Sequence, residues 1–239
     1  MRFFRRLRRS IRKRLIAASR RDRFFVTDYL GADFIVRLDE PVGRELAFRS
    51  YERDRIEYFM SLCAGEKPDV FIDLGANVGT YCCILVGAGL ATRAIAVEPD
   101  RRNSVRLRAN LLINDILDRV AVHEVAVGRV AERLWLEAGP RENYTNARIA
   151  EPSDAKGDFV DVVRLDDVVS IAGQTLAVKM DIEGHECEAL AGMERTLAAN
   201  KGIVQIESYD HSAAVIETMG RLNYRLVKDF APDFVFVKK

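Results

Sequence analysis

The sequence predicts an α/β fold: a doubly wound, mostly parallel sheet covered by helices on both faces and ending in an antiparallel pair. Three observations predict it. From Asp69 onward, short apolar runs bounded by glycine, proline or acids alternate with helical stretches, the pattern of a parallel sheet buried on both sides. The last two runs, YRLVKDF and FVFVKK, are joined by a turn at Ala231-Pro232-Asp233, too short for a parallel crossover, so they form an antiparallel hairpin. With 239 residues, 49% of them hydrophobic, the chain suits one such domain with additions.

Residues 1–23 form a basic arm. Eleven Lys or Arg stand there against one acid, Asp22, so the arm carries +10 and the remaining chain −9 within a net charge of +1. Phe3, Leu7, Ile11 and Leu15 recur every four residues and share one helical face. A helix of this kind lies on an anionic membrane surface, grips nucleic-acid phosphates, or remains a solvated arm. Residues 24–66 read as a mixed N-terminal segment, and residues 67–239 as the α/β domain. VFIDLG (70–75) is its first strand, followed by the helix TYCCILVGAGL. AIAVEP (94–99) is the second strand, stopped by Pro99. Residues 100–114 form a helix, with Val105, Leu107, Leu111 and Leu112 expected on its buried side. VAVHEVAVG (120–128) is the third strand. Residues 129–168 break the alternation and read as a hairpin-like insertion with a mobile loop, GPRENYTNAR. LAVKMDIEG (176–184) is the fourth strand. The helix from His185 to Asn200 spaces Ala189, Leu190, Met193 and Leu197 along one face. IVQIES (203–208) is the fifth strand, and residues 211–222 a further helix.

Several classes are excluded or made remote. The cysteines, Cys63, Cys82, Cys83 and Cys187, form no CxxC pair, so neither a zinc site nor a disulfide framework is expected, and Cys82-Cys83 reads as core filling in a helix. No run approaches the ~20 apolar residues of a membrane span. A reduced, cytoplasmic protein is expected, with peripheral membrane contact through the arm.

In open α/β sheets, ligands bind outside the carboxyl ends of the strands. There the sequence gathers Asp73, Gly75, Asn77 and Gly79, then Glu98, then Glu124 and Val125, then Lys179, Asp181 and Glu183, then Glu207. The strand-to-helix turn is GANVG rather than GxGxxG, and Asp73 precedes it. An acid there opposes a pyrophosphate and suits a cationic amino-acid group. Glu98, 19 residues after Gly79, can accept the hydroxyls of a ribose. Together these suit S-adenosylmethionine better than NAD(P), the cofactor of the rival oxidoreductase reading. Glu124 and Val125 would flank the adenine.

The succession DLGANVG, AVEPD, RANLLIND and KMDIEGHE resembles the FkbM-type family of S-adenosylmethionine-dependent methyltransferases, over roughly residues 45–210. Tyr51-Glu52 resembles a pair that precedes the cofactor loop in that family. The resemblance implies a Rossmann-like, seven-stranded sheet and O-methylation of hydroxyls on sugars and natural products. It also implies that Asp73, Gly75, Asn77 and Gly79 wrap the methionine end of the cofactor while Glu98 holds its ribose.

Methyl transfer to a hydroxyl needs alignment and a proton acceptor. Asp181 and Glu207 end neighbouring strands and are the first candidates, with Glu183 close by. Lys179 shares the strand face of Asp181 and reads as an ion-pair partner that orients it. Two carboxylates from adjacent strand ends also offer a site for Mg²⁺ with waters, the second option. His185 and Glu186 read as helix-start residues, and Trp135 as hairpin core. Tyr144 reads as a loop residue. The absence of NPPY or DPPY disfavours methylation of base amino groups; ribose methylation of RNA stays open.

Overall fold

The structure is a computed structural model that describes residues 23–137, 147–150 and 157–239. The basic arm, apart from Arg23, and the loop bearing Tyr144 lie outside the described residues. The predicted fold class is borne out. A seven-stranded sheet is built from β3 (Val70–Leu74), β4 (Arg93–Val97), β5 (Val120–His123), β10 (Thr175–Met180), β11 (Lys201–Glu207), β12 (Arg225–Asp229) and β13 (Asp233–Lys238). Its order is β12-β13-β11-β10-β3-β4-β5, and only β13 runs antiparallel to its neighbours. The chain steps outward from β3 in one direction through β4 and β5, then returns to the other side at β10. The crevice at this reversal opens over the carboxyl ends of β3 and β10.

The two faces of the sheet fill differently. Phe71, Ala177, Ile203 and Val235 face a core made with α2 (Arg53–Glu66), α3 (Thr80–Gly87) and α4 (Arg101–Ile113). Val70, Ile72, Val178 and Val204 face the opposite core, with α5 (Leu165–Val168), α6 (Glu186–Gly192), α7 (Glu194–Ala199) and α8 (Ser212–Arg221). α3 is buried almost all round, Cys82 and Cys83 included, as its uniform hydrophobicity requires. Ala189, Leu190, Met193 and Leu197 are all buried, but the expected single helix is broken at Met193.

α4 corrects one expectation. Val105 and Leu112 are 59% and 64% exposed, and its buried face is Asn103, Ser104, Leu107, Asn110 and Leu111. The polar residues earn burial through partners: Asn110 accepts the Ile35 N–H at 2.8 Å and donates to the Val78 carbonyl at 2.8 Å.

The third predicted run also divides. β5 stays in the main sheet, while β6 (Ala126–Val127) leaves it to pair with the insertion. β6, β7 (Glu132–Glu137), β8 (Arg148–Ala150) and β9 (Gly157–Val163) form a four-stranded sheet, larger than the hairpin expected. Trp135 packs edge-on against Phe159 in this sheet, with ring centroids 5.3 Å apart.

The N-terminal segment is a hairpin, β1 (Phe25–Tyr29) with β2 (Ala32–Val36), then α1 (Pro41–Phe48) and α2. Side chains of α4 lock it onto the domain. Asn114 exchanges hydrogen bonds with the Asp33 backbone, and Arg106 grips the carboxylate of Glu40 with both terminal nitrogens. Glu40 is 5% and Arg106 16% exposed in this pair. Glu40→Ala leaves that guanidinium buried without its partner, and is expected to lower stability by roughly 3 kcal/mol in urea unfolding. A loss below about 0.5 kcal/mol would show that the segment is held by other contacts.

Candidate active site

The carboxyl ends of β3, β4, β10 and β11, with Tyr51 and Glu52 ahead of α2, wall a cavity of about 520 Å³. Of the expected residues, Asp73, Gly75, Asn77, Glu98, Val125, Lys179, Asp181, Glu183 and Glu207 line it. Gly79 and Glu124 are not among the lining residues. The Glu124 carboxylate turns to α4, where it accepts from the Ser104 hydroxyl at 2.7 Å and meets Arg101 at 3.7 Å.

At the β3 end, the glycines are dictated by the protein's own packing. Gly75 has φ +78°, and a Cβ there would lie 1.9 Å from the carbonyl oxygen of Asp181. Gly79 has φ +82°, and its Cβ would lie 2.4 Å from Leu107. Asn77 between them is also left-handed, with φ 51°, a conformation asparagine tolerates. Its N–H donates to Glu98 at 2.8 Å, and its Oδ1 is buried with no hydrogen-bond partner among the described residues. Glu98 also accepts the Asp100 N–H at 2.9 Å and the Asn103 amide at 3.4 Å. Burial pushes its carboxyl up to about 7, against the pull of those donors. Asp73 accepts from the Cys82 thiol at 3.3 Å; burial lifts it to about 7, while Cys82 and Lys179 pull it down.

At the β10 end, Lys179 is the centre. It lies level with Asp73 on β3 and Gln205 on β11, so the three share one face of the sheet. Its Nζ is 3.3 Å from Asp233 and 3.8 Å from both Asp181 and Glu207. Burial works against its charge, but Asp181, Glu52, Tyr81 and Asp233 outweigh that and hold the ammonium well above its ordinary range. Asp233 is itself fixed by Arg55 at 2.9 Å and by the Gln205 amide at 2.8 Å. Burial raises Asp181 to about 6 and Glu207 to about 7, with Lys179 opposing in both cases. Glu183, also in a left-handed conformation with φ 52°, is exposed at the cavity mouth; burial of part of its carboxyl and the nearby Glu207 raise it. The expected alignment of Lys179 with Asp181 is present, but Lys179 serves three carboxylates rather than one.

Glu52 joins this group. Oxygen atoms of Glu52, Asp181 and Glu207 converge within 4.8 Å of one another. The convergence does not favour the Mg²⁺ option, because the Lys179 ammonium already stands 3.8 Å from two of the three acids. A dication there would sit beside a like charge in a partly buried site.

Several lining residues escape a reading by strand ends. Tyr81 on α3 donates to Glu52 at 2.9 Å, and Asp233 reaches the cluster from the hairpin strand. Gln205, polar inside the apolar run IVQIES, was the available signal for a buried network. His185 lines the cavity as well as standing ahead of α6, and burial lowers its pKa. Tyr209, 71% exposed, and Arg148 on β8 complete the rim.

The buried acids fix how stability depends on pH. Asp73 and Glu98 titrate near 7 when folded, against 3.8 and 4.5 ordinarily. The folded state therefore binds more protons between these values, and the contribution of these two groups to stability, full below pH 4, is lost as pH rises through 7. The unliganded protein is expected to melt at a higher temperature at pH 5 than at pH 8. Glu98→Gln, neutral throughout, should remove about 3 kcal/mol of that fall. An unchanged pH slope in the variant would refute the assignment of Glu98.

Residues 73–226 match the family profile described as the methyltransferase FkbM domain, well over half of the chain. Among solved structures, the chain is similar to the FkbM methyltransferase of Methylobacillus flagellatus, at 22% identity and a TM-score of 0.54, over 82% of this chain and 54% of that one. It thus spans about half the length of that protein. It is also similar to a precorrin-6y C5,15-methyltransferase from Geobacter metallireducens, at 13% identity and a TM-score of 0.47, over 78% and 88% of the two chains. A tRNA methyltransferase of B. subtilis gives 11% identity and a TM-score of 0.45, over 77% and 63%. No curated protein matches the sequence. The likeness to the Methylobacillus flagellatus structure speaks to the fold, while the profile match spans the loop after β3, β4, the insertion and the β10 and β11 ends. The chain belongs to the FkbM methyltransferase family.

Proposed function

We propose that the protein transfers the methyl group of S-adenosylmethionine to a hydroxyl of a sugar, a glycan or a glycosylated natural product. The observation that carries the reading is that one cavity is lined both by Glu98, suited to a ribose, and by Asp181 and Glu207, suited to an acceptor hydroxyl. The cofactor, when bound, supplies a methyl already activated by its sulfonium. Asp73, Gly75 and Asn77 would hold its methionine end, Glu98 the ribose and Val125 a face of the adenine. Gly79 supports that loop from behind, and Glu124 fixes the start of α4 beneath the ribose site.

Asp181 and Glu207 would align the acceptor oxygen, and one of them would take its proton as the cofactor's methyl is transferred to that oxygen. Carboxyls lifted to about 6 and about 7 are matched to proton transfer near neutral pH. Lys179 keeps the pair oriented. Glu183, at the mouth, meets the outer part of the acceptor. Residues 1–23 would bring the enzyme to an anionic membrane surface bearing its acceptor. RNA phosphates are the less favoured partner for them.

Calorimetric titration with S-adenosylmethionine, S-adenosylhomocysteine and NAD tests the cofactor. Both sulfur compounds are expected to bind and NAD not to, and Glu98→Ala should weaken them by ~1–3 kcal/mol. NAD binding alone would overturn the reading. With labelled cofactor and a panel of sugar and glycolipid acceptors, Asp181→Asn and Glu207→Gln are each expected to lower turnover about 100-fold or more. Turnover within twofold of the parent would remove them from the chemistry. Sedimentation with anionic vesicles tests the arm: the full chain should pellet and a chain lacking residues 1–23 should not, and equal pelleting would exclude that role.

A further inference from the structure

We infer that the outer face of α4 docks on an anionic lipid surface. The inference rests on the membrane role proposed above for residues 1–23 and names the part of the folded domain that shares the contact. It follows from an inversion of that helix. The inner face of α4 carries Asn103, Ser104 and Asn110 beside Leu107 and Leu111, while Val105 and Leu112 stand in solvent. Arg101, Val105, Arg108 and Leu112 recur at helical spacing and form one outward stripe, with Ile113 at its margin. Adjacent aliphatic side chains left in water and rimmed by charge mark an interaction surface.

Charge and position decide what covers it. The helix RRNSVRLRANLLI contains four arginines and no acid. Arg102 meets Asp100, Arg106 meets Glu40, and Arg101, its side chain 84% exposed, stands 3.7 Å from Glu124. Arg108 donates to the Val122 carbonyl at 3.2 Å and makes no ion pair among the described residues. The exposed acids Asp115 and Asp118 come only after the helix has ended. Phe24, 55% exposed, lies against Arg106, with 5.0 Å from the guanidinium carbon to the ring centre. Residues 1–23, with their charge of +10, therefore join the domain beside this face. Arginines of that arm, or of a second copy of the chain, would meet arginines of the same sign here. RNA phosphates would leave Val105, Leu112 and Phe24 in water. The boundary between lipid headgroups and acyl chains takes both kinds of side chain, aliphatics inward and guanidiniums at the phosphates. Pro99 and Asn103, at the start of the helix, line the cavity, so a lipid surface lying along α4 adjoins the site an acceptor would enter.

The test is sedimentation of the full chain with vesicles of phosphatidylcholine and phosphatidylglycerol. The double variant Val105→Ser, Leu112→Ser keeps every charge, alters only exposed side chains, and should bind about tenfold more weakly than the parent. Arg108→Gln should bind about fivefold more weakly. Val168→Ser, at an exposed position of α5 on the other side of the sheet, should stay within twofold. A second measurement reports position. The parent's single tryptophan, Trp135, lies in the insertion, and the emission added by Leu112→Trp should be quenched by brominated phosphatidylcholine in the same vesicles. A parent that pellets together with every variant, with Leu112→Trp quenched no more than the parent, would overturn the inference and leave the membrane role of residues 1–23 standing. Conversion of a dimeric parent to a monomer by the double variant, or tighter binding to an RNA oligonucleotide than to vesicles, would overturn it in favour of a second copy or of RNA. A parent that does not pellet at all would overturn both this inference and the membrane role, while the cofactor titration judges the methyl-transfer reading separately.

Discussion

The ammonium of Lys179 is the interaction on which the carboxyl edge of the sheet depends. An isolated charge at that depth would carry a penalty of several kcal/mol. It is tolerated because acids from three strands converge on it: Asp181 beyond β10, Glu207 on β11 and Asp233 on β13. Each of those acids would itself be unfavourable without the cation. The arrangement is mutual, and it extends sideways through Gln205 and Tyr81, whose side chains are 3.2 Å apart, and through Arg55. A polar row thus crosses the middle of an otherwise apolar sheet face. It joins α3, the two central strands, the hairpin and α2 into one electrostatic unit.

The N-terminal segment belongs to that unit. Without β1, β2, α1 and α2, the cavity would lack Pro41, Val42, Tyr51 and Glu52 on one wall. The segment shares a large apolar core with the domain, through Phe34, Leu46, Ile56 and Phe59 among others, and directional bonds add to it. Asn110 and Asn114 bind the β2 backbone, and Arg106 clamps Glu40 at the start of α1. These contacts come from polar residues of α4, a helix whose other turns hold Glu98 through Asn103 and Glu124 through Ser104. One helix face therefore positions Glu98, Glu124 and the outer wall of the cavity together.

Much of this was legible in the sequence. Buried parallel strands announce themselves as uninterrupted apolar runs, and the short final turn settled the hairpin. Asp73, Gly75, Asn77, Glu98 and Asp181 could be named because they sit at strand ends, where the fold concentrates ligand contacts. What escaped was polarity buried by pairing. Val105 and Leu112 look like core, yet the inner face of α4 belongs to Asn103, Ser104 and Asn110, whose partners are distant in the chain. Asp233 reads as a turn residue, and Tyr51 and Glu52 stand out only by their resemblance to a family pair. Hydrophobic periodicity carries no information about such long-range pairing. The split of residues 120–128 between two sheets escaped for a related reason, since β6 takes its partner, β9, from the far end of the insertion.

The missing Cβ of Gly75 has a mechanical consequence. The loop after β3 rests directly on the peptide of Asp181, with the room of a side chain removed between them. The loop and the strand end that bears Asp181 thus share a single rigid joint, and neither wall can be widened without displacing the other. Room for a different acceptor has to be found where a wall stands alone, at Ala147, Arg148 and Ile149 of the insertion or at Pro41 and Val42 of the N-terminal segment. On the proposed reading, diversity of acceptors and constancy of the methyl donor would fall to separate parts of the same cavity.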